Sequence, residues 1–253
     1  MRIATRSAVR FGVVAMLAIP FAAAHAQLTA SPAPTRGPDA SVVLSSNLIV
    51  KTQGKSSTNA LTTIYDNTSS TPQVGISSTD LSSVWGDELF TTGVGLLSTH
   101  KFTLYNYSGS AGALTSATVS ISFYDAVTSA FFGGYGGTIN FSGSGLLPGQ
   151  FSTITASGLD GLLINLTTTD LVVLQMVTAK TGAANRLGIV SLDPVLVGSS
   201  PVTMFIQSGT IASGVPGFYN LGVTTDVGNF IAVNPPPVST QSKTWSSLKR
   251  LYR

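Results

Sequence analysis

Ser98-Thr99-His100-Lys101 is a Ser-x-x-Lys match, with three chemically capable side chains inside four positions. In acyl-enzymes that spacing works because one helical turn brings the hydroxyl and the amine together. Here the surrounding residues alternate as a strand does, which points positions three apart to opposite faces. A Ser-His-Asp triad would also depend on His100, because the other histidine, His25, falls in a leader segment. No Gly-x-Ser-x-Gly elbow is available to hold a serine nucleophile. His100 reads as a lone surface residue on a strand, and nucleophilic catalysis finds no support.

Carboxylates offer two other chemistries. A glycosidase needs two of them facing each other across a cleft. Glu88 is the only glutamate, and its neighbour Asp87 is a poor partner, because adjacent side chains diverge in extended chain. A hydrolase of extracellular polysaccharide is therefore the alternative reading, with Asp87 and Asp125 as the positions to substitute. Calcium is the more natural expectation. Asp66, Asp80, Asp87, Glu88 and Asp125 lie in turn-rich segments, and Ca²⁺ takes carboxylates together with backbone oxygens. No EF-hand spacing is present, and ordinary turn aspartates are the competing explanation. Flat aromatic rings stack on sugar faces, so Tyr105, Tyr107, Tyr124 and Tyr135 are candidates for a glycan platform. Lateral packing within a sheet would account for them equally well.

The elements that must position these residues are strands. Ala117, Val119, Ile121 and Phe123 alternate with Thr118, Ser120, Ser122 and Tyr124 without a break, the period of a strand with one face in a core. Phe102 and Leu104 share a face opposite Lys101, Thr103 and Tyr105. The linker Tyr107 to Gly112 is rich in serine and glycine and too short for a crossover helix, so the two runs are expected to pair as an antiparallel hairpin. The glycines in Phe131 to Gly137 read as a turn needing positive φ, and no helix pattern follows to make them a phosphate loop. Leu171 to Val177 is apolar on both faces, as in an interior strand covered on both sides. Ten or so such runs, separated by Gly/Pro/Asp turns, predict an all-β fold, an antiparallel β-sandwich of jelly-roll type. A membrane-spanning barrel is the second architecture.

Composition limits the rest. Arg2, Arg6 and Arg10, the apolar run Phe11 to Phe21 and Ala24-His25-Ala26 have the form of a cleaved signal peptide over residues 1–26. The apolar run is shorter than the roughly 20 residues a spanning helix needs. Removing it leaves 10 basic against 10 acidic residues, so the sequence pI of about 9.3 is no nucleic-acid footprint. No cysteine is present, which excludes thiolate metal sites and thiol nucleophiles. Residues 27–40 contain three prolines and read as a flexible lead-in, with the β domain over 41–233.

Pro235-Pro236-Pro237 then forms a stiff spacer within residues 234–253. Beyond it, a short basic helix is expected, with Trp245, Leu248 and Tyr252 on one face and Lys249 and Arg250 beside them. Such a tail would serve as a sorting address read by a surface-attachment system.

Several segments carry a family likeness. Ile64-Tyr65-Asp66-Asn67, Trp85-Gly86-Asp87-Glu88-Leu89 and Val119 to Asp125 resemble the exported bacterial β-sandwich modules found ahead of PEP-CTERM-type sorting tails. Leu147-Pro148-Gly149 and the stretch from Asp193-Pro194 to Gly198-Ser199-Ser200 are similar as well. This chain lacks the Pro-Glu-Pro and apolar helix of such tails. The resemblance implies a secreted or cell-surface protein with no catalytic residues to carry over, and glycans as the expected partners.

Overall fold

Alternation over the central third of the chain becomes strand throughout. The computed structural model describes residues 29–31, 33–44, 60–78, 84–201, 204–207, 217–219 and 226–236. Before the centre lie β1 (Thr29–Ser31), β2 (Thr35–Arg36), β3 (Ala40–Leu44), β4 (Thr62–Asp66), β5 (Thr71–Ser78) and β6 (Val84–Phe90). The long strands follow: β7 (Gly95–Asn106), β8 (Leu114–Asp125), β9 (Phe131–Asn140) and β10 (Gln150–Ser157). A 3-10 turn at Leu159–Leu162 leads to β11 (Asn165–Leu166), β12 (Asp170–Gly182) and β13 (Leu187–Asp193). The series closes with β14 (Met204–Gln207), β15 (Gly217–Tyr219) and β16 (Asn229–Asn234).

Hydrogen-bonded neighbours run β1-β5-β13-β7-β10-β3-β9-β8-β12-β6-β14-β15, a large mixed sheet nearly closed into a barrel. β3 is the strand at which it folds over. It pairs β10 through Ile154↔Ala40 and β9 through Val42↔Ile139. The two halves thereby present their apolar faces to each other. Leu97, Phe102 and Leu104 of β7 share one core with Val119, Ile121 and Phe123 of β8 and Val173 of β12. Each fully buried side chain of this size contributes about 1.5–3 kcal/mol.

The all-β expectation holds, and several details of the sequence reading do not. β7 and β8 do not form a hairpin. β7 bonds to β10, β11, β13 and β16, whereas β8 bonds to β9 and β12. Their linker is an arch, and the strands meet face to face. An alternating pattern specifies which side chains go inward, and both arrangements satisfy it. The ladders are also not all antiparallel, because β10 runs parallel to β2 and β3.

The expected lead-in supplies strands of its own. Arg36 donates to the Thr68 carbonyl at 2.8 Å and to Thr153 Oγ1 at 3.1 Å, and its guanidinium lies over Phe151. The glycine run is strand β9, not a turn, and of its four glycines only Gly133 has positive φ. Small residues are required there because a Cβ on Gly134 would meet the Ile121 carbonyl oxygen at 2.4 Å. β12 is interior to its sheet, between β8 and β6, yet Val172, Leu174 and Met176 stay half-exposed on its outer face. The leader, Asp80 and the tail residues Trp245, Leu248, Lys249, Arg250 and Tyr252 lie outside the described residues.

Candidate functional site

Strand parity sorts the candidate residues onto three surfaces. On the outer face of the β9-β8-β12-β6 layer, cross-strand register places Phe131 beside Tyr124, Tyr124 beside Val172, and Val172 beside Glu88. The Tyr124 and Phe131 rings are 5.2 Å apart at 47°, and Phe131 is 60% exposed. The next positions inward pair Ser122 with Gly134 and Ser120 with Gly136, so the sheet beside the rings has low relief. Glu88 shares a hydrogen bond with Asp170. Burial raises the pKa of both carboxyls, and the Asp170 charge raises that of Glu88 further. The outer face thus carries a tilted aromatic pair at one side and a carboxyl pair at the other.

Tyr124 is the only one of the proposed platform tyrosines on that face. Tyr105 and Tyr135 are 1% and 2% exposed and cannot stack on a ligand. Tyr105 packs with Phe151, Val190 and Leu192 in a second small core, because β13 and its neighbours cover the face that alternation left open. Tyr135 points into the main core. Phe131 is the partner that sequence reasoning missed. Its signal is an aromatic doublet opening a glycine-rich stretch, which reads locally as a turn.

His100 is buried completely, contrary to the surface position expected for it. Its Nε2 lies 3.0 Å from Asn229 Oδ1, an acceptor, so Nε2 carries the proton. Nδ1 then accepts from the Tyr135 hydroxyl at 2.7 Å. Asn229 Nδ2 donates to the Val227 carbonyl, and its backbone N–H donates to Asn67 Oδ1 at 2.8 Å. Burial lowers the His100 pKa to about 4, so the ring is neutral at physiological pH. With Lys101 held against the Phe230 ring, the Ser-x-x-Lys match is simply strand.

The four candidate metal ligands among the described residues do not converge. Asp66 caps its own turn, accepting from the Thr68 N–H and hydroxyl at 2.8 and 2.9 Å. Asp125 does the same for the β8–β9 turn, and the N–H groups of Thr128 and Val127 hold its carboxyl below the usual range. Asp87 and Glu88 point to opposite sides of β6, as adjacent strand residues must. Among the described residues, no group of three or more histidine, cysteine or acidic side chains is placed to hold a metal ion.

Asp87 nevertheless has an acidic neighbour. It is 1% exposed and accepts from the N–H groups of Val227 and Glu88 at 2.8 and 2.9 Å, and from Ser200 Oγ at 3.1 Å. Desolvation pushes its pKa well above the usual carboxylate range, and the Asp226 charge adds to this. Asp226 itself is raised to about 6, chiefly by burial. No local sequence signal marks Asp226, which sits 139 positions away and meets Asp87 only in the fold.

Comparison with protein-family models, with curated proteins and with solved structures finds no match to this chain.

Proposed function

We propose that this is a non-catalytic exported protein of the cell surface or extracellular matrix, binding glycans on the outer β9-β8-β12-β6 face. Its architecture is read as a β-sandwich of jelly-roll type, the two halves of the folded-over sheet being its layers. The carrying observation is the pairing of the exposed Phe131 with the half-buried Tyr124, which shares one row of the sheet with Val172 and Glu88. A sugar's apolar face stacks on such rings while carboxyls accept from its hydroxyls. Low relief at Ser120, Ser122, Gly134 and Gly136 gives an extended chain room to lie across the strands. Residues 242–253 are proposed as the address that retains the protein at the surface.

A glycan array on the purified protein tests this reading. The expected result is binding of a polysaccharide class by the wild type and its loss on Phe131→Ala and Tyr124→Ala. Absence of binding across the array removes the glycan function. Turnover of a polysaccharide, abolished by Asp87→Asn or Asp125→Asn, would instead establish the hydrolase alternative.

A further inference from the structure

Tyr65 is 0% exposed, and its hydroxyl has no hydrogen-bond partner. A buried hydroxyl without a partner costs about 1–3 kcal/mol, so something is expected to meet it. Burial chiefly, and then the charges of Asp87 and Asp226, raise the pKa of that phenol, while the Ser200 hydroxyl lowers it, which places the Tyr65 hydroxyl among these groups. Asp226 is 4% exposed, and its Oδ1 is also unpartnered. Ser200 Oγ joins the group, 3.1 Å from Asp87 Oδ1, 2.9 Å from the Glu88 carbonyl and 3.2 Å from the Pro201 carbonyl.

The side-chain groups that meet in this cluster are all oxygens, and the charges acting on them are other carboxylates. Among the described residues, Arg36 pairs with Asp39, Lys101 lies on Phe230, Arg186 lies on Tyr107, and Lys180 sits far along β12 opposite Ala117. Asp87 accepts three hydrogen bonds, so its oxygens are arranged as acceptors, and its raised pKa reflects the cost of ionising a buried carboxyl without a counter-charge.

We infer that Asp87 and Asp226, with the hydroxyls of Tyr65 and Ser200, form a buried site for a divalent cation of the calcium type. A cation there meets both unpartnered oxygens and offsets the cost of ionising Asp87. The oxygen-only donor set suits Ca²⁺, whereas zinc favours histidine and cysteine ligands. Carbonyls of Glu88 and Pro201 extend the set toward the six to eight oxygens that calcium takes. The ion would tie β6 to the segment leading into β16, independently of any glycan on the outer face.

The test is thermal unfolding of the purified protein after EDTA treatment, with and without calcium chloride at about 10 mM, above the weakest extracellular calcium sites. Terbium, whose luminescence is sensitised by nearby tyrosine, reports occupancy directly. Wild type should melt about 5 °C or more higher with calcium. Asp226→Asn should lose that shift and the terbium signal while melting, without metal, no lower than metal-free wild type. Tyr65→Phe, which keeps the ring, should weaken calcium binding about tenfold, the worth of one hydrogen-bonding group. Glu88→Gln, on the opposite face of β6, should retain the full shift. The inference is overturned by no calcium response in the wild type, by an undiminished response in Asp226→Asn, or by loss of the response in Glu88→Gln. None of these readouts involves a glycan, so failure here leaves the platform standing, and failure on the array leaves the cation site standing.

Discussion

Two buried polar clusters flank the short segment Asp226 to Asn229, and they differ in completeness. On one side, Tyr135, His100, Asn229 and Asn67 form a chain in which His100 uses both ring nitrogens and Asn67 Nδ2 reaches the carbonyls of Leu192 and Val227. On the other side, Asp87 is satisfied, while Tyr65 and Asp226 each leave an oxygen without a partner. Both clusters are buried. The complete one needs nothing further and reads as architecture, whereas the incomplete one has unmet chemistry of one sign. A buried histidine can therefore be structural, while a pair of aspartates beside it is the better place to look for a ligand.

The sharpest way to break this contrast is His100→Leu. It strands the Tyr135 hydroxyl and Asn229 Oδ1 in the core, and urea unfolding should show a loss of about 4 kcal/mol. Adding Tyr135→Phe removes one stranded group and should restore about 1 kcal/mol or more. A single variant within about 1 kcal/mol of wild type would show that the network is not holding the core.

Acid should act through the same residue. The folded pKa of His100 lies near 4, below the ordinary 6.5, so the unfolded chain binds the extra proton first. The His100 contribution is present above pH 6.5 and is lost as pH falls toward 4, by about 3 kcal/mol in all. The groups facing the ring are Tyr135, whose pKa is raised far above the range of this titration, and the neutral Asn229, Phe102 and Phe123. Subtracting the pH profile of His100→Gln from that of wild type isolates this component. A flat difference would mean that the ring is protonated in the fold.

A smaller effect of opposite sign is expected in the other cluster. Without metal, Asp226→Asn removes a buried charge beside the Asp87 carboxyl and should stabilise by about 1 kcal/mol. A loss of that size instead would mean that Asp226 has partners in solution. The smallest stability effect belongs to the outer face. Phe131→Ala should stay within about 0.5 kcal/mol in urea unfolding, since the ring is largely in water, while binding to an immobilised glycan falls about tenfold. Equal losses of stability and binding would recast the Tyr124–Phe131 pair as packing.

Parity along single strands was legible from the start. The opposite directions of Asp87 and Glu88, the inward set Val119, Ile121 and Phe123, and the turn roles of Asp66 and Asp125 follow from a period of two and from side chains that bond their own backbone. Tyr124 facing outward belongs to the same reading. None of this needs to know which strands are neighbours.

What covers a face, and what lies across from it, was decided by tertiary structure. Tyr105 lies opposite Leu104 by parity, yet it is buried because β13 with Val190 and Leu192 packs over it. β7 and β8 look like a hairpin along the chain and instead face each other across the core, since alternation is equally satisfied by pairing and by stacking. Asp226 reaches Asp87 across 139 positions through the Val227 N–H, and Phe131 reaches Tyr124 only once the glycine run is drawn out as β9. The sequence by itself determined that this chain is built of strands and which side of each strand turns inward, because those are local properties of an extended backbone. Strand neighbours and the buried acidic pair depend on contacts far apart in the chain, and the outer-face aromatic pair depends on how β8 and β9 register, so only the fold brings them together.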